Sequence, residues 1–221
     1  MPAGKQSMKS PAQNRKRNSY HRGNVREDLI ALGKKILESE GLEAITLRRL
    51  TREIGVNPTN FYNHFPNMEY LFAAIKVEGY QKLLKRDRKA TRNCQKKLDV
   101  VRILCHEHLF FAIENPGQYR LMFDYYHDFQ KHQELKEITD ATMAFLVEML
   151  YGSDIFDSSD SLGFYTTHPM AVACWSLTHG LTHILIERQI ELNTKSHKKV
   201  TEFADKVIDE LFHGIEDQLQ D

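Results

Sequence analysis

The chain has three cysteines, six prolines, one tryptophan and no apolar run approaching the roughly 18 residues of a membrane span. Cys94, Cys105 and Cys174 are odd in number and form no C-x-x-C pair, which argues against a disulfide framework and for reduced thiols. Lys5 and Lys9 are followed by no apolar h-region, so the start does not read as a secretory signal, and the expected setting is the cytoplasm, off the membrane. G-x-S-x-G, H-E-x-x-H, P-loop and dinucleotide signatures are missing, which removes the common enzyme classes and any call for a cofactor. Net charge is missing too: 30 Lys/Arg stand against 30 Asp/Glu over 221 residues.

That neutrality hides an asymmetry. Residues 1–97 hold 21 Lys/Arg and 9 Asp/Glu, and residues 98–221 hold 9 and 21, so the halves carry about +12 and −12. A basic part fused to an acidic one points to a polyanion-binding segment joined to something else. Within residues 1–23 every charge is positive, with Lys5, Lys9, Arg15, Lys16, Arg17 and Arg22, and the composition predicts a disordered basic arm.

From Asn24 onward the periodicity is helical throughout, and no alternating pattern is long enough for a sheet. Asn24 with Glu27 reads as a capping box, ahead of Leu29, Ile30, Ile36 and Leu37 at helical spacing up to Gly41. Thr46 is a cap for a short helix ending at Gly55, and Asn57-Pro58 begins a third helix running to about 64. Asn67 caps a long fourth helix to about 90. Further helices are expected over about 94–114, 117–125, 129–151, 169–192 and 197–218, with residues 152–168, rich in Ser, Asp and Gly, as the one long loop.

Two short helices joined by a tight glycine turn, preceded by another helix and set in the basic half, make a helix-turn-helix. On the helix from Pro58, Phe61 and Phe65 lie four apart and can pack inward with Leu50 and Ile54, leaving Thr59, Asn60, Asn63 and His64 to face out. The stretch AITLRRLTREIGVNPTNFYNHFPNMEYLFAAI closely resembles the DNA-binding signature of the TetR/AcrR family of bacterial transcriptional regulators, over roughly residues 24–72. The resemblance implies an all-α homodimer: a basic arm at 1–23, a three-helix DNA-binding domain at 24–70, and a larger helical ligand-binding and dimerisation domain at 71–221.

It also implies roles. Tyr62 falls where the family usually has a phosphate-bonding tyrosine, and Thr59, Asn60, Asn63 and His64 fall at groove-facing positions of a double-stranded operator. Thr46 and Arg48 fall where the DNA backbone is met. Asn60 or Asn63 is chemically able to read adenine, and Thr59 to meet a thymine methyl. Met68 departs from the pattern, standing where a phosphate-binding lysine is common; the basic arm is a candidate source of compensating charge.

In the acidic half, NPGQYRLMFDYY and ACWSLTHGLTHILIE resemble a C-terminal domain of one TetR-like group named for its Trp, His and Gly, here Trp175, His179 and Gly180. This implies helices around a small-molecule cavity and a dimer made by the last two long helices. Independently, Phe110, Phe111, Tyr119, Met122, Phe123, Tyr126, Met143 and Trp175 supply the aromatic and apolar lining that effector pockets favour, with His179 as a polar contact. The expected function is a transcriptional repressor released by a small apolar or aromatic effector. Two other readings stand beside it. One is a helical enzyme or metal sensor using His106, His108, His179 or the Cys105/His106/His108 and His179/His183 groups; the other is an architectural DNA binder without a cavity.

Overall fold

The computed structural model describes residues 24–152 and 168–213. The basic arm, loop residues 153–167 and the expected continuation of the last helix to about 218 lie outside the described residues. Among those described there is no strand. The elements are α1 (Val25–Glu40), a 3-10 turn (Leu42–Ala44), α2 (Leu47–Ile54), α3 (Pro58–Tyr62), α4 (Met68–Thr91), α5 (Lys97–Glu114), α6 (Pro116–Asp124), α7 (Gln133–Tyr151), α8 (Pro169–Ile186) and α9 (His197–His213).

Three of the four proposed caps operate. The side chains of Thr46, Asn57 and Asn67 accept from the amides of Arg49, Asn60 and Tyr70 at 3.3, 3.0 and 3.3 Å. Asn24 caps α1 by position only, because its side chain makes no cap hydrogen bond, so the expected capping box is not formed. Gly55 closes α2 at φ 77°, a left-handed conformation that a side chain makes costly, and this allows the tight reversal into α3. α3 itself stops at Tyr62, two residues early, where the amides of His64 and Phe65 both turn back to the Phe61 carbonyl.

Two further boundaries differ from the periodic reading. α7 starts at Gln133 rather than near 129, because the Asp128 carboxylate accepts from the Gln130 amide and holds a turn there. α8 stops at Ile186 rather than near 192. Its end is a Schellman closure in which Gln189 N–H reaches the Ile184 carbonyl at 3.0 Å and Arg188 N–H reaches that of Leu185 at 3.2 Å. The left-handed residue that closes it is Arg188, at φ 54°, not a glycine.

A head forms from α1, α2, α3 and the first turns of α4. Phe61 and Phe65 are buried with Leu50 and Ile54, as the four-residue spacing predicted, and each aromatic gains roughly 2 kcal/mol from burial. α4 then leaves the head and enters a body core with Ala73, Val77, Tyr80 and Leu83 against Phe111, Tyr119, Met122 and Leu135. The boundary drawn at 70/71 therefore falls inside one continuous helix.

α6 bridges head and body a second time. Its Leu121 is part of the head core, while its Tyr119 and Met122 belong to the body core. Its N-terminus is closed by α1: both carboxylate oxygens of Glu38 accept, from the amides of Gly117 and Gln118, each at 2.8 Å. The contact is so close that a Cβ at Gly117 would stand 2.7 Å from the Leu37 carbonyl oxygen.

A third tie lies between α4 and the 125–132 turn. Lys76 is buried and donates to the Tyr125 carbonyl at 2.8 Å and to His127 Nδ1 at 3.3 Å. His127 must then carry its proton on Nε2, which donates to the Glu69 carbonyl at 3.3 Å. Burial first, and the Lys76 ammonium second, hold the His127 imidazole down at about 4, against an ordinary 6.5.

Two outcomes are expected. Gly117→Ala should destabilise the protein by about 1–3 kcal/mol in urea unfolding, because the added methyl meets backbone; a neutral or stabilising result, the usual gain for an unhindered helical glycine, would show that α1 and α6 do not touch in this way. For His127 the unfolded chain binds the extra proton first, so the stability that neutral His127 contributes is complete above about pH 6.5 and is lost as pH falls through about 4. Melting curves of His127→Gln should be flatter than wild type by up to about 3 kcal/mol across that window, and an identical acid limb would remove His127 from the account.

Candidate DNA interface and buried cavity

The helix-turn-helix presents one polar face. Thr46, Arg48, Thr59, Tyr62, Asn63 and His64 are exposed, and Asn60 is half-buried. Thr46 spends an oxygen lone pair on the α2 cap and retains its hydroxyl proton for a donor role. Tyr62 is 56% exposed and stands edge-on to Phe61, ring centroids 5.6 Å apart, so the buried phenylalanine props up the outward tyrosine.

The arginines of α2 divide. Arg49 is clamped between Glu40, at 2.5 and 2.7 Å, and Glu53, at 2.8 Å, and these carboxylates raise its pKa further. Arg48 and Arg52 are exposed. They sit on a helix whose N-terminal amides already favour an anion. Met68 is half-buried against the head core, so the position held by lysine in the resemblance is used here for packing.

In the body, α4 to α8 surround a cavity of about 50 Å³. Its wall is almost wholly apolar, and its polar side chains are Tyr80 and Asp87 on α4, His108 on α5, Thr139 and Thr142 on α7 and Trp175 and Thr178 on α8. Phe123, Met143 and Trp175, expected to line an effector site, line this cavity. Tyr119 and His179 stand one layer behind: Trp175 stacks on His179 at 5.9 Å, and His179 Nδ1 lies 3.2 Å from the Tyr119 hydroxyl. Burial lowers the His179 pKa and raises that of Tyr119, so both prefer their neutral forms.

The other expected lining residues lie elsewhere. Phe111 and Met122 are fully committed to the body core. Phe110 stacks on His197 at 4.4 Å, on the side of α5 facing α9. Tyr126 is 81% exposed, because the chain leaves α6 at Asp124 and the residue points off the turn. Asp87 and its neighbour His108, 3.5 Å away, were not paired by sequence reasoning. The signal was present: Tyr80, Leu83, Leu84, Asp87 and Thr91 recur at helical spacing, so an acid occupies a core-facing register.

The histidine groups do not converge. His106 bonds Asp205 at 3.0 Å, His108 faces Asp87, His179 faces Tyr119, and buried Cys105 is pushed up to about 11 by its surroundings. Among the described residues no three or more His, Cys, Asp or Glu side chains gather as metal ligands, and no helix is long and apolar enough to cross a membrane.

Comparison with known proteins agrees with this geometry. The model of bacterial regulatory proteins of the tetR family matches residues 29–75, and that of the tetracyclin repressor-like C-terminal domain matches residues 101–211, half of the chain. YobS of Bacillus subtilis, an uncharacterized HTH-type transcriptional regulator, is 26% identical over 170 residues, 76% of this chain and 83% of that protein. The nucleoid occlusion factor SlmA of Vibrio campbellii is 29% identical over 100 residues, 45% of this chain and 51% of SlmA. In fold, a protein of unknown function from Rhodococcus sp. RHA1 aligns with TM-score 0.67 at 20% identity, over 86% of this chain and 97% of that one. A tetR family regulator from Shewanella sp. PV-4 aligns with TM-score 0.60 at 13% identity, over 83% and 95%. With a helix-turn-helix head at one end and a tetracyclin repressor-like body at the other, the chain belongs to the TetR family of transcriptional regulators.

Proposed function

We propose that the chain is a repressor that binds a pseudo-palindromic operator as a homodimer and is released by a small effector in the body cavity. The observation that carries this reading is the position of α6. One helix contributes Phe123 to the cavity wall, Leu121 to the head core and its N-terminus to Glu38 of α1. An occupant that pushes on α6 changes the angle at which the head is held, and the occupied geometry is favoured by the difference in the occupant's affinity for the two states. The two heads of a dimer must meet DNA roughly 34–36 Å apart, so a small change of angle is enough to weaken binding. The reading places the protein in the cytoplasm with its DNA and gives it no catalytic role.

Dimerisation is assigned to α8 and α9. Val172, Ala173 and Ser176 are exposed on α8, and Leu211 and Phe212 on α9. Gly180 lies on the same α8 stripe as Ala173 and Ser176, and a Cβ there would meet nothing within 4 Å in the protomer. Small residues in a row let a partner helix approach closely, and an isologous pairing uses the stripe twice. The other reading is an architectural binder of bulk DNA; comparable affinity for promoter and random fragments at fixed salt would select it.

Two measurements test the proposal. In titrations of DNA from upstream of the protein's own gene, Arg48→Ala should lower the salt slope by about 1 and weaken all sequences alike, whereas Asn60→Ala should cost about 1–3 kcal/mol on the preferred fragment only. The same effect of both variants on every fragment would defeat the division into phosphate and base contacts. In sedimentation, wild type should run at twice the protomer mass and Gly180→Arg as a folded monomer, since the protomer has room for the side chain; a variant that stays dimeric would move the interface off α8.

A further inference from the structure

The cavity holds a carboxylate that the protein leaves half satisfied. Asp87 is 2% exposed, lines the cavity, and its Oδ1 has no hydrogen-bond partner. Its Oδ2 reaches only His108 Nε2, at 3.5 Å. The nearby hydroxyls are spent elsewhere: Thr139 donates to the Leu135 carbonyl at 3.0 Å and Thr142 to that of Ile138 at 2.8 Å. Nor do the neighbouring cations serve it. Arg86 is held by Glu107 and Glu114 at 2.7 and 2.8 Å, and the Arg88 guanidinium lies over the Phe145 ring at 5.7 Å.

A buried acid with an unfilled acceptor costs stability unless something supplies the missing donor. The surrounding wall says what kind. Tyr80, Phe123, Phe145 and Trp175 line the same space, and aromatic faces attract a cation when water is excluded. Neither an anion nor a purely apolar molecule satisfies Oδ1. We propose that the cavity binds a small organic cation, an alkyl or aralkyl ammonium, whose N–H donates to Asp87 Oδ1 while its apolar part packs on Trp175 and Phe123. Its class is set by Asp87 and its size by a space of about 50 Å³, which admits a short chain before the walls must move. This deepens the reading of the cavity as the effector site and rests on it.

Trp175 is the only tryptophan of the chain, so its fluorescence reports on this wall alone. The full-length protein is titrated with ammonium ions from ethylammonium to phenethylammonium, with the alcohols of matching length, and with 3-phenylpropanoate, by fluorescence and calorimetry. At least one ammonium ion should bind tenfold or more tightly than its alcohol, and the carboxylate should not bind. Asp87→Asn should reduce that ammonium's affinity at least tenfold and leave the alcohol within threefold. Equal binding of ammonium and alcohol to the wild type, or no binding by any ammonium, overturns the proposal without reference to the variant; an Asp87→Asn protein that keeps the preference overturns it as well. DNA release is measured separately. Ammonium binding without release supports the cation site and counts against the effector role, whereas release by a neutral compound with no ammonium binding overturns the cation site alone.

Discussion

Both oxygens of one carboxylate, that of Glu38, close the first turn of α6, and this contact decides how the head meets the body. A carboxylate at a helix N-terminus gains from the unpaired amides and from the positive end of the dipole, but Glu38 is exposed, so water and salt keep the gain near 1 kcal/mol. Beneath it, Leu121 extends from α6 into the head core and contributes about 2 kcal/mol more by burial. The sum is comparable to the coupling of 1–3 kcal/mol that allosteric proteins typically use. A joint several times stronger would lock the head; one with neither element would let it swing freely.

α4 is the other connection, and it differs in kind. It is continuous from Met68 to Thr91 and buried in the head core at one end and the body core at the other. Lys76 fixes its middle to the 125–132 turn through Tyr125 and His127, and Gln118 of α6 donates to the Ile75 carbonyl at 2.8 Å. The head therefore hangs from a rigid rod and leans on a weaker strut. Movement of the strut about the rod costs less than bending the rod, which is why the proposed effector response is placed on α6.

The head was legible in the sequence because its determinants are local. Thr46, Asn57 and Asn67 cap within three residues of themselves, Gly55 turns where only glycine turns easily, and Phe61 and Phe65 share a face by spacing alone. The body was legible as helices, less so as a site. Which face of α5 looks into the cavity depends on where α8 and α9 pack, so Phe110, equal to Phe111 in type, ends against His197 while its neighbour enters the core. The end of α8 was hidden because an arginine, Arg188, takes the left-handed position usually marked by glycine. Asp87 is hidden because an acid in a helix reads as surface until its register is compared with Leu83, Leu84 and Thr91.

Met68 and Asp87 are two departures on one helix. At its start, α4 gives up a cation and packs a thioether into the head, so its N-terminus keeps only its own amides and the Asn67 cap. The cations left exposed on α2 are Arg48 and Arg52. Nineteen residues on from Met68, roughly 30 Å at the helical rise, the same rod carries an acid in the cavity wall with an unfilled acceptor. An occupant that satisfies Asp87 pulls directly on the rod, and one that presses on Phe123 displaces the strut. In the proposed reading the two act together in one occupant, its ammonium held by Asp87 on the rod and its apolar part pressing on Phe123 of the strut.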